Sequence, residues 1–208
     1  MNLKIFNTLS KKIESFKPLM DTVKVYACGP TVYNHPHIGN ARPAIIADIL
    51  IRILRNFFKK VIYVRNITDI DDKINDKAKE EKVSIEIISL KYTKIYQENM
   101  RALNVLPPDI EPTVTQNIHS IIKMISSLLE KKNAYEAENH ILFHVPSFKD
   151  YGILSKRKKD EMIEGARVEV APYKKNPMDF VLWKPSKKDQ PGWDSPWGRG
   201  RPGWHIEC

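Results

Sequence analysis

The stretch from Thr22 to Val64 constrains the fold more than any other part of the chain, because its hydrophobic period changes twice. Val23, Val25 and Ala27 alternate with polar or amphipathic neighbours, which predicts a short strand that delivers Cys28 to its C-terminal end. Ile45, Ile49, Ile53 and Phe57 then recur at four-residue steps beside Ile46, Leu50, Leu54 and Phe58, one wide apolar stripe suited to a helix lying on a sheet. The β-branched run Val61-Ile-Tyr-Val64 predicts a second, largely buried strand. Strand, helix, strand in that order predicts a right-handed crossover, a parallel sheet and an α/β fold. Ligands of such sheets bind outside the carboxyl ends of the strands. Cys28 to Asn40 and Arg65 to Asp72 are therefore predicted to converge on one crevice.

Downstream, Ile85, Ile88, Tyr92, Ile95 and the Leu103 region predict a second amphipathic helix that ends before Pro107-Pro108. Pro112 is expected to open a third, with Val114, Ile118, Ile121, Ile125 and Leu128 on its apolar face. Between Tyr135 and Trp197 the pattern becomes short alternating strands, such as His140-Ile-Leu-Phe-His-Val145, broken by Pro, Gly and Lys-rich turns. This part is expected to be an insertion. No internal repeat or low-complexity tract is visible.

At 208 residues the chain can bury one substantial core plus an insertion or small second domain. Two cysteines, and no charged-then-apolar leader at Met1-Asn-Leu-Lys-Ile-Phe6, lead us to expect a reducing, cytosolic setting. The longest apolar stretch, Ala44 to Ile51, is broken by Asp48 and is far shorter than the roughly 20 residues of a membrane span. Lys and Arg exceed Asp and Glu by 34 − 25 = 9, and the pI is near 9.4. Such a balance favours a polyanionic partner, nucleic acid or a phosphorylated ligand. Lys156-Arg-Lys-Lys159 and Lys174-Lys175 fit phosphate contact and solvated surface equally well.

His35-Pro-His-Ile-Gly-Asn40 lies between the first strand and its helix, where unpaired N–H groups and the helix dipole favour an anion. His37 and Asn40 can both donate to a phosphoryl oxygen, and Gly39 removes a Cβ that would keep a flat adenine away. The same residues could also be an ordinary helix start. Asn66-Ile-Thr-Asp-Ile-Asp-Asp72 follows the second strand. There Thr68 and Asp69 could hold an amino group, or Thr68, Asp69 or Asp71 could cap the helix through Lys73-Ile74. Cys28 and Cys208 could form a disulfide, remain two unrelated buried thiols, or ligate one zinc, and spacing alone does not choose. Trp204 and His205 beside Cys208 would suit a small-substrate pocket.

Taken together, Cys28-Gly-Pro-Thr-Val-Tyr33, His37-Ile-Gly-Asn40, Tyr63-Val-Arg-Asn-Ile-Thr-Asp-Ile-Asp-Asp-Lys73, Asn176-Pro-Met-Asp-Phe-Val-Leu-Trp183 and Gly200-Arg-Pro-Gly-Trp-His-Ile-Glu-Cys208 closely resemble bacterial cysteinyl-tRNA synthetases. The resemblance runs from Lys4 to the last residue. It implies a class I aminoacyl-tRNA synthetase with a Rossmann-type catalytic domain: its first half at 1–112, a connective insertion at 113–198, and a return to the catalytic domain at 199–208. The activity it implies is cysteine–tRNA ligation, in which cysteine and ATP, with Mg2+, give cysteinyl-adenylate and the cysteine passes to tRNA(Cys).

By the same resemblance His37-Ile-Gly-Asn40 is the family's HIGH element at the ATP phosphates, with His37 and Asn40 catalytic. Its final histidine is Asn40 here, an exchange that keeps a donor. Gly29, Pro30, Thr31 and Gly39 would line the ATP and adenylate site; Gly29, Thr31, Asn66, Ile67, Thr68 and Trp204 would wall the cysteine pocket. Cys28 and Cys208 look like two ligands of a zinc that separates cysteine from serine, since an open zinc position bonds a thiolate far better than a hydroxyl. The family's remaining zinc ligands, its KMSKS loop and its anticodon-recognising region do not occur in this sequence. The resemblance is thus to an N-terminal portion, expected to be metal-poor and inactive alone, monomeric, cytoplasmic and without a membrane. The neighbouring alternatives are a cysteine ligase of mycothiol synthesis, expected to carry Gly-Gly-Asp-Pro where this chain has Gly165-Ala-Arg-Val-Glu169, and a non-catalytic truncated paralogue that binds nucleic acid or protein.

Overall fold

The computed structural model describes residues 3–156 and 171–207. These form two compact units, one spanning Lys17–Asn117 and the other joining the chain up to Phe16 with Ile118–Glu207.

In the Lys17–Asn117 unit, β3 (Val23–Ala27) leads through a loop into α1 (Ile38–Phe57), which returns to β4 (Val61–Arg65). β3 and β4 pair in parallel from Val23 opposite Val61 to Ala27 opposite Arg65, the crossover read from the periodicity. The sheet does not stop there. Ile110 and Thr113 form parallel bridges to Val64 and Ile67, with Arg65 N–H donating to Ile110 O at 3.1 Å and Ile67 N–H to Pro112 O at 2.9 Å. A third, irregular strand therefore occupies the place where a helix was expected from Pro112. That helix, α4 (Ile118–Glu130), begins only after a 3₁₀ turn at Thr115–Asn117.

The face that α1 buries is also rotated from the expected stripe. Ala41, Ala44, Ala47, Asp48, Ile51 and Leu54 are buried, whereas Ile46, Ile49, Ile53 and Phe57 are exposed. Alanines along the inner face allow the helix axis to lie close to the sheet, so the small residues rather than the isoleucines take the contact. Asp48, buried on that face, accepts from Arg52 Nε at 2.8 Å and from Leu106 N–H at 3.0 Å, which fixes the chain at Leu106. α2 (Asp72–Glu81) and α3 (Ile85–Ala102) complete the unit. Ile74 and Ala78 of α2 and Ile88, Tyr92, Tyr96 and Met100 of α3 close over Val32, Ala41, Ala44 and Ile67 in one apolar cluster.

The second unit holds the hairpin of β1 (Lys4–Asn7) and β2 (Lys12–Ser15), α4, and a four-stranded antiparallel sheet. The sheet runs β5 (Ala134–Ala137), β6 (His140–Phe143), β7 (Phe180–Pro185) and β8 (Gly200–Pro202) in chain order. Its anchor is Asp179. That carboxylate is 1% exposed and accepts from Tyr135 Oη at 2.8 Å, Val145 N–H at 2.9 Å, Asn176 N–H at 3.1 Å and His144 Nδ1 at 3.2 Å. Gly200–Pro202 pairs with β7, and residues 199–207 group with the four-stranded antiparallel sheet. Arg199 and Arg201 donate to the Pro185, Ser186, Lys187 and Gln190 carbonyls and pin the loop between β7 and β8.

Candidate functional site

Two strand ends meet at the top of the parallel sheet. Beyond β3 the chain continues as Cys28-Gly-Pro-Thr31 and beyond β4 as Asn66-Ile-Thr68, and the two segments pair with each other. Thr68 N–H donates to Pro30 O at 3.0 Å, Val32 N–H to Thr68 O at 3.2 Å, and Gly29 N–H to Asn66 Oδ1 at 2.8 Å. Only glycine fits at position 29, where any Cβ would overlap the Asn66 carbonyl oxygen. The predicted convergence of the two loops is therefore built on direct hydrogen bonds.

At the start of α1, His37 is the N-cap. Its Nδ1 accepts from Gly39 N–H at 3.0 Å, while Asn40 Oδ1 accepts from the His37 N–H at 3.0 Å, a reciprocal capping box. A Cβ on Gly39 would stand 2.7 Å from His37 Cε1, so this glycine makes room for the imidazole itself. The loop between is held by aromatic contacts: His35 meets Tyr92 edge-to-face at 5.6 Å, and Lys73 Nζ lies 5.1 Å from the centre of the Tyr33 ring.

Around these loops lie two small crevices. One, of about 80 Å³, is lined by Ala27, Cys28, Gly29, Pro30, Gly39, Asn40, Pro43, Ala44, Tyr63, Arg65 and Tyr96. The other, of about 110 Å³, is lined by Pro30, Thr31, His35, His37, Asn40, Tyr92 and Tyr96 among others. Cys28, Gly29, Pro30, Thr31, His37, Gly39 and Asn40 thus gather as the sequence suggested, with the Cys28 thiol exposed. Asn66 and Thr68 are buried directly beneath, as the supports of Gly29 and Pro30. The Ile67 side chain points into the core cluster rather than into either crevice. Trp204, 65% exposed, belongs to the other unit, where its ring lies 5.5 Å from that of His205. Burial and Lys174 hold that histidine below the usual imidazole range. Cys208 and Gly165-Ala-Arg-Val-Glu169 fall outside the described residues, as do Arg157, Lys158 and Lys159.

Of the acidic run after β4, Asp71 is the N-cap of α2 and accepts from Lys73 N–H at 2.9 Å. Asp69 does other work: it accepts from Thr115 N–H at 3.0 Å and from Thr115 Oγ1, tying the third strand to the loop.

The crevice wall also includes Tyr63 and Tyr96, which the sequence did not single out, and Arg65, which it placed only at the start of the loop after β4. Arg65 is 3% exposed, donates from Nη2 to Glu111 Oε1 at 3.1 Å, and lies 5.2 Å from the centre of the Tyr96 ring. Its Nε and Nη1, and the Tyr63 hydroxyl, have no acceptor or donor among the described residues. Burial raises both tyrosine pKa values, against the opposing pull of the Arg65 cation. Tyr63 and Arg65 lie two apart on one strand, so alternation alone puts them on a common face. That signal was available and pointed to the crevice.

Residues 15–208 match the family described as tRNA synthetases class I (C) catalytic domain. The chain belongs to this family. A cysteine–tRNA ligase of Parvibaculum lavamentivorans is 60% identical over 209 residues, covering all of this chain and 45% of that protein. One of Methylocella silvestris is 56% identical over 211 residues, covering all of this chain and 47% of that protein. The chain therefore spans about half the length of the curated relatives it matches. In fold it is similar to a putative arginyl-tRNA synthetase of Campylobacter jejuni, with a TM-score of 0.51 at 15% identity over 65% of this chain and 40% of that one. The α/β architecture with its parallel strands is thus that of a class I synthetase catalytic domain.

Proposed function

We propose that this chain is the N-terminal portion of a cysteine–tRNA ligase, and that its Lys17–Asn117 unit binds ATP and cysteine for adenylate formation. The observation that carries this reading is the hydrogen-bonded meeting of Cys28-Gly29-Pro30 with Asn66-Ile67-Thr68 beside the capped start of α1, in a chain 60% identical to a cysteine–tRNA ligase. Such a crevice sets the exposed Cys28 thiol near a helix N-terminus, whose positive end favours the phosphates of ATP. Donors on His37 and Asn40 would steady the charge that builds when a cysteine carboxylate oxygen attacks the α-phosphorus and pyrophosphate departs. In the same reading Gly29 and Thr31 lie against cysteine and nucleotide, and Asn66 and Thr68 keep those segments in register. In this reading tRNA(Cys) accepts the product. Among the described residues no helix is long and apolar enough to cross a membrane. A cytoplasmic, monomeric enzyme of translation is the setting we propose.

Zinc is the natural device for separating cysteine from serine. The described residues do not make a zinc site by themselves: Cys28 is one soft donor, and no group of three or more His, Cys, Asp or Glu side chains that could hold a metal lies among them. We therefore derive no step through a metal. Cys208 as a second ligand, and further ligands from a longer polypeptide, belong to the proposal.

The test is zinc content and cysteine-dependent ATP–pyrophosphate exchange, measured side by side on this chain and on a product as long as its relatives. Zinc and exchange in the longer protein, both lost with Cys28→Ser, support the reading. Neither in either form, or a Cys28→Ser protein with full zinc and unchanged cysteine affinity, overturns it.

A further inference from the structure

The Lys17–Asn117 unit has a larger cavity apart from the two crevices, about 260 Å³ in volume, between the last turns of α3 and the chain that runs on from Val105 to Glu111. Met100, Val105, Leu106, Pro107 and Pro108 form its apolar wall. Its polar groups come from Arg65, Gln97, Arg101 and Glu111. Glu111 Oε1 accepts from Arg65 Nη2 at 3.1 Å, and Glu111 Oε2 accepts from Gln97 Nε2. Arg65 is 3% exposed, and its Nε and Nη1 have no acceptor among the described residues and no contact with solvent. Arg101 is exposed and forms no ion pair among the described residues. Two guanidinium groups thus face one carboxylate, and the cavity is short of acceptors.

We propose that this cavity binds a monocarboxylate with a compact apolar body, held by Arg65 and Arg101. A planar carboxylate matches the guanidinium fork with two parallel bonds, and a buried donor that lacks an acceptor gains more from one than a solvated donor does. Turning the Arg65 guanidinium further into the cavity that it lines brings Nε or Nη1 to the ligand, and neither atom leaves a partner behind. The apolar body then covers Met100, Val105 and Leu106. A phosphate dianion is the poorer ligand, since it brings a second charge past Glu111 and leaves the apolar wall unused. A cation would meet two arginines. Arg65 also lines the crevice at Cys28, so the bound acid and that crevice share one wall. The proposal does not depend on what the crevice binds.

Benzoate is the probe, with benzamide as its uncharged counterpart and inorganic phosphate as an anion without an apolar body. Each is titrated into the ¹⁵N-labelled chain and followed by amide correlation spectra. Benzoate is expected to bind with a Kd of about 1 mM, within reach of a ligand that small, and to shift the amides of Met100, Arg101, Val105 and Leu106. Benzamide and phosphate should bind about tenfold more weakly or not at all. Arg101→Gln should weaken benzoate about tenfold. Leu106→Trp, which fills the cavity and leaves its charge unchanged, should abolish binding, with amide exchange along β3 and β4 as the check on folding; the exposed Arg101 site keeps the test decisive if that variant does not fold. Benzoate that shifts no amide around the cavity, or that binds Arg101→Gln as it binds the parent, overturns the proposal. Benzamide or phosphate binding as tightly as benzoate overturns it too. Binding to this chain that disappears in a product as long as its relatives does the same, because the longer polypeptide then covers the cavity.

Discussion

Removing the Asn66 side chain would ask one hydrogen bond to account for the joining of the two strand-end loops. Asn66 is 3% exposed, and its Oδ1 accepts the Gly29 N–H at 2.8 Å. In Asn66→Ala that part-buried N–H loses its acceptor, at about 1–3 kcal/mol, and the vacated volume adds roughly 1 kcal/mol. The loops cannot recover by closing up, because the Gly29 α-carbon already lies against the Asn66 carbonyl oxygen. We therefore expect a loss of about 2–4 kcal/mol, a large share of the roughly 5–15 kcal/mol that holds a typical domain.

The assay must read the correct unit. Trp183, Trp193, Trp197 and Trp204 all lie in the unit that contains the four-stranded antiparallel sheet, so tryptophan fluorescence reports that unit. Amide exchange along β3 and β4 reports the other. Protection there should fall roughly 30- to 1000-fold in Asn66→Ala while the fluorescence transition in urea stays where it was. Protection within about threefold of the parent would refute the claim that this bond stabilises the unit.

Three other outcomes follow from equally local causes. Gly29→Ala should destabilise β3 and β4 by at least about 3 kcal/mol, since its new methyl overlaps backbone that has no rotamer to escape into; exchange protection at the parental level would contradict this. Asp179→Ala should cost on the order of 4 kcal/mol, seen as an earlier urea transition by tryptophan fluorescence, because it strands donors from Tyr135, Val145 and Asn176; a shift under about 1 kcal/mol would argue against the hub. Burial pushes the Tyr135 hydroxyl up to about 12, with Asp179 adding to the rise and the Lys175 N–H opposing it. The folded state therefore keeps this proton after the unfolded chain has lost it. The resulting stability is complete below about pH 10, the unperturbed tyrosine value, and is lost as pH rises to about 12, some 2–3 kcal/mol in all. In Tyr135→Phe the alkaline decline of that unit should be shallower by this amount, and an unchanged slope would remove Tyr135 as its cause.

The crossover was legible because period and composition change together: two β-branched strands flank a long helical stripe, and one topology joins them. What periodicity could not show was which apolar stripe of α1 turns inward. Both the alanine face and the isoleucine face recur at helical spacing, and close approach to a sheet selects the smaller side chains over the more hydrophobic ones. The third strand failed for another reason. Pro112 is a good helix opener in isolation, but Arg65 on β4 and Ile67 just beyond it have N–H groups to satisfy, and Ile110 and Pro112 supply the carbonyls. Long-range pairing of this kind leaves no local mark. In the candidate site the loops and their small residues were readable, and strand alternation puts Tyr63 and Arg65 on one face, whereas the place of Tyr96 beside them needed the sheet and α3 to be brought together first.

The positive charge of the chain reads differently once its arginines are followed to their partners. Arg52 and Arg55 hold Asp48 and Asp109, Arg65 holds Glu111, and Arg199 and Arg201 are taken up by backbone carbonyls. Five planar forks able to grip a phosphate by two bonds are thus committed to the fold. Arg42, early in α1, is exposed. Elsewhere the surplus is carried largely by lysines, which attract polyanions as point charges and read little geometry. Long-range attraction of a polynucleotide by this chain should accordingly be steeply weakened by salt. Under the proposed function, discrimination would rest on the short-range donors at the head of α1 and on the crevice beside Cys28.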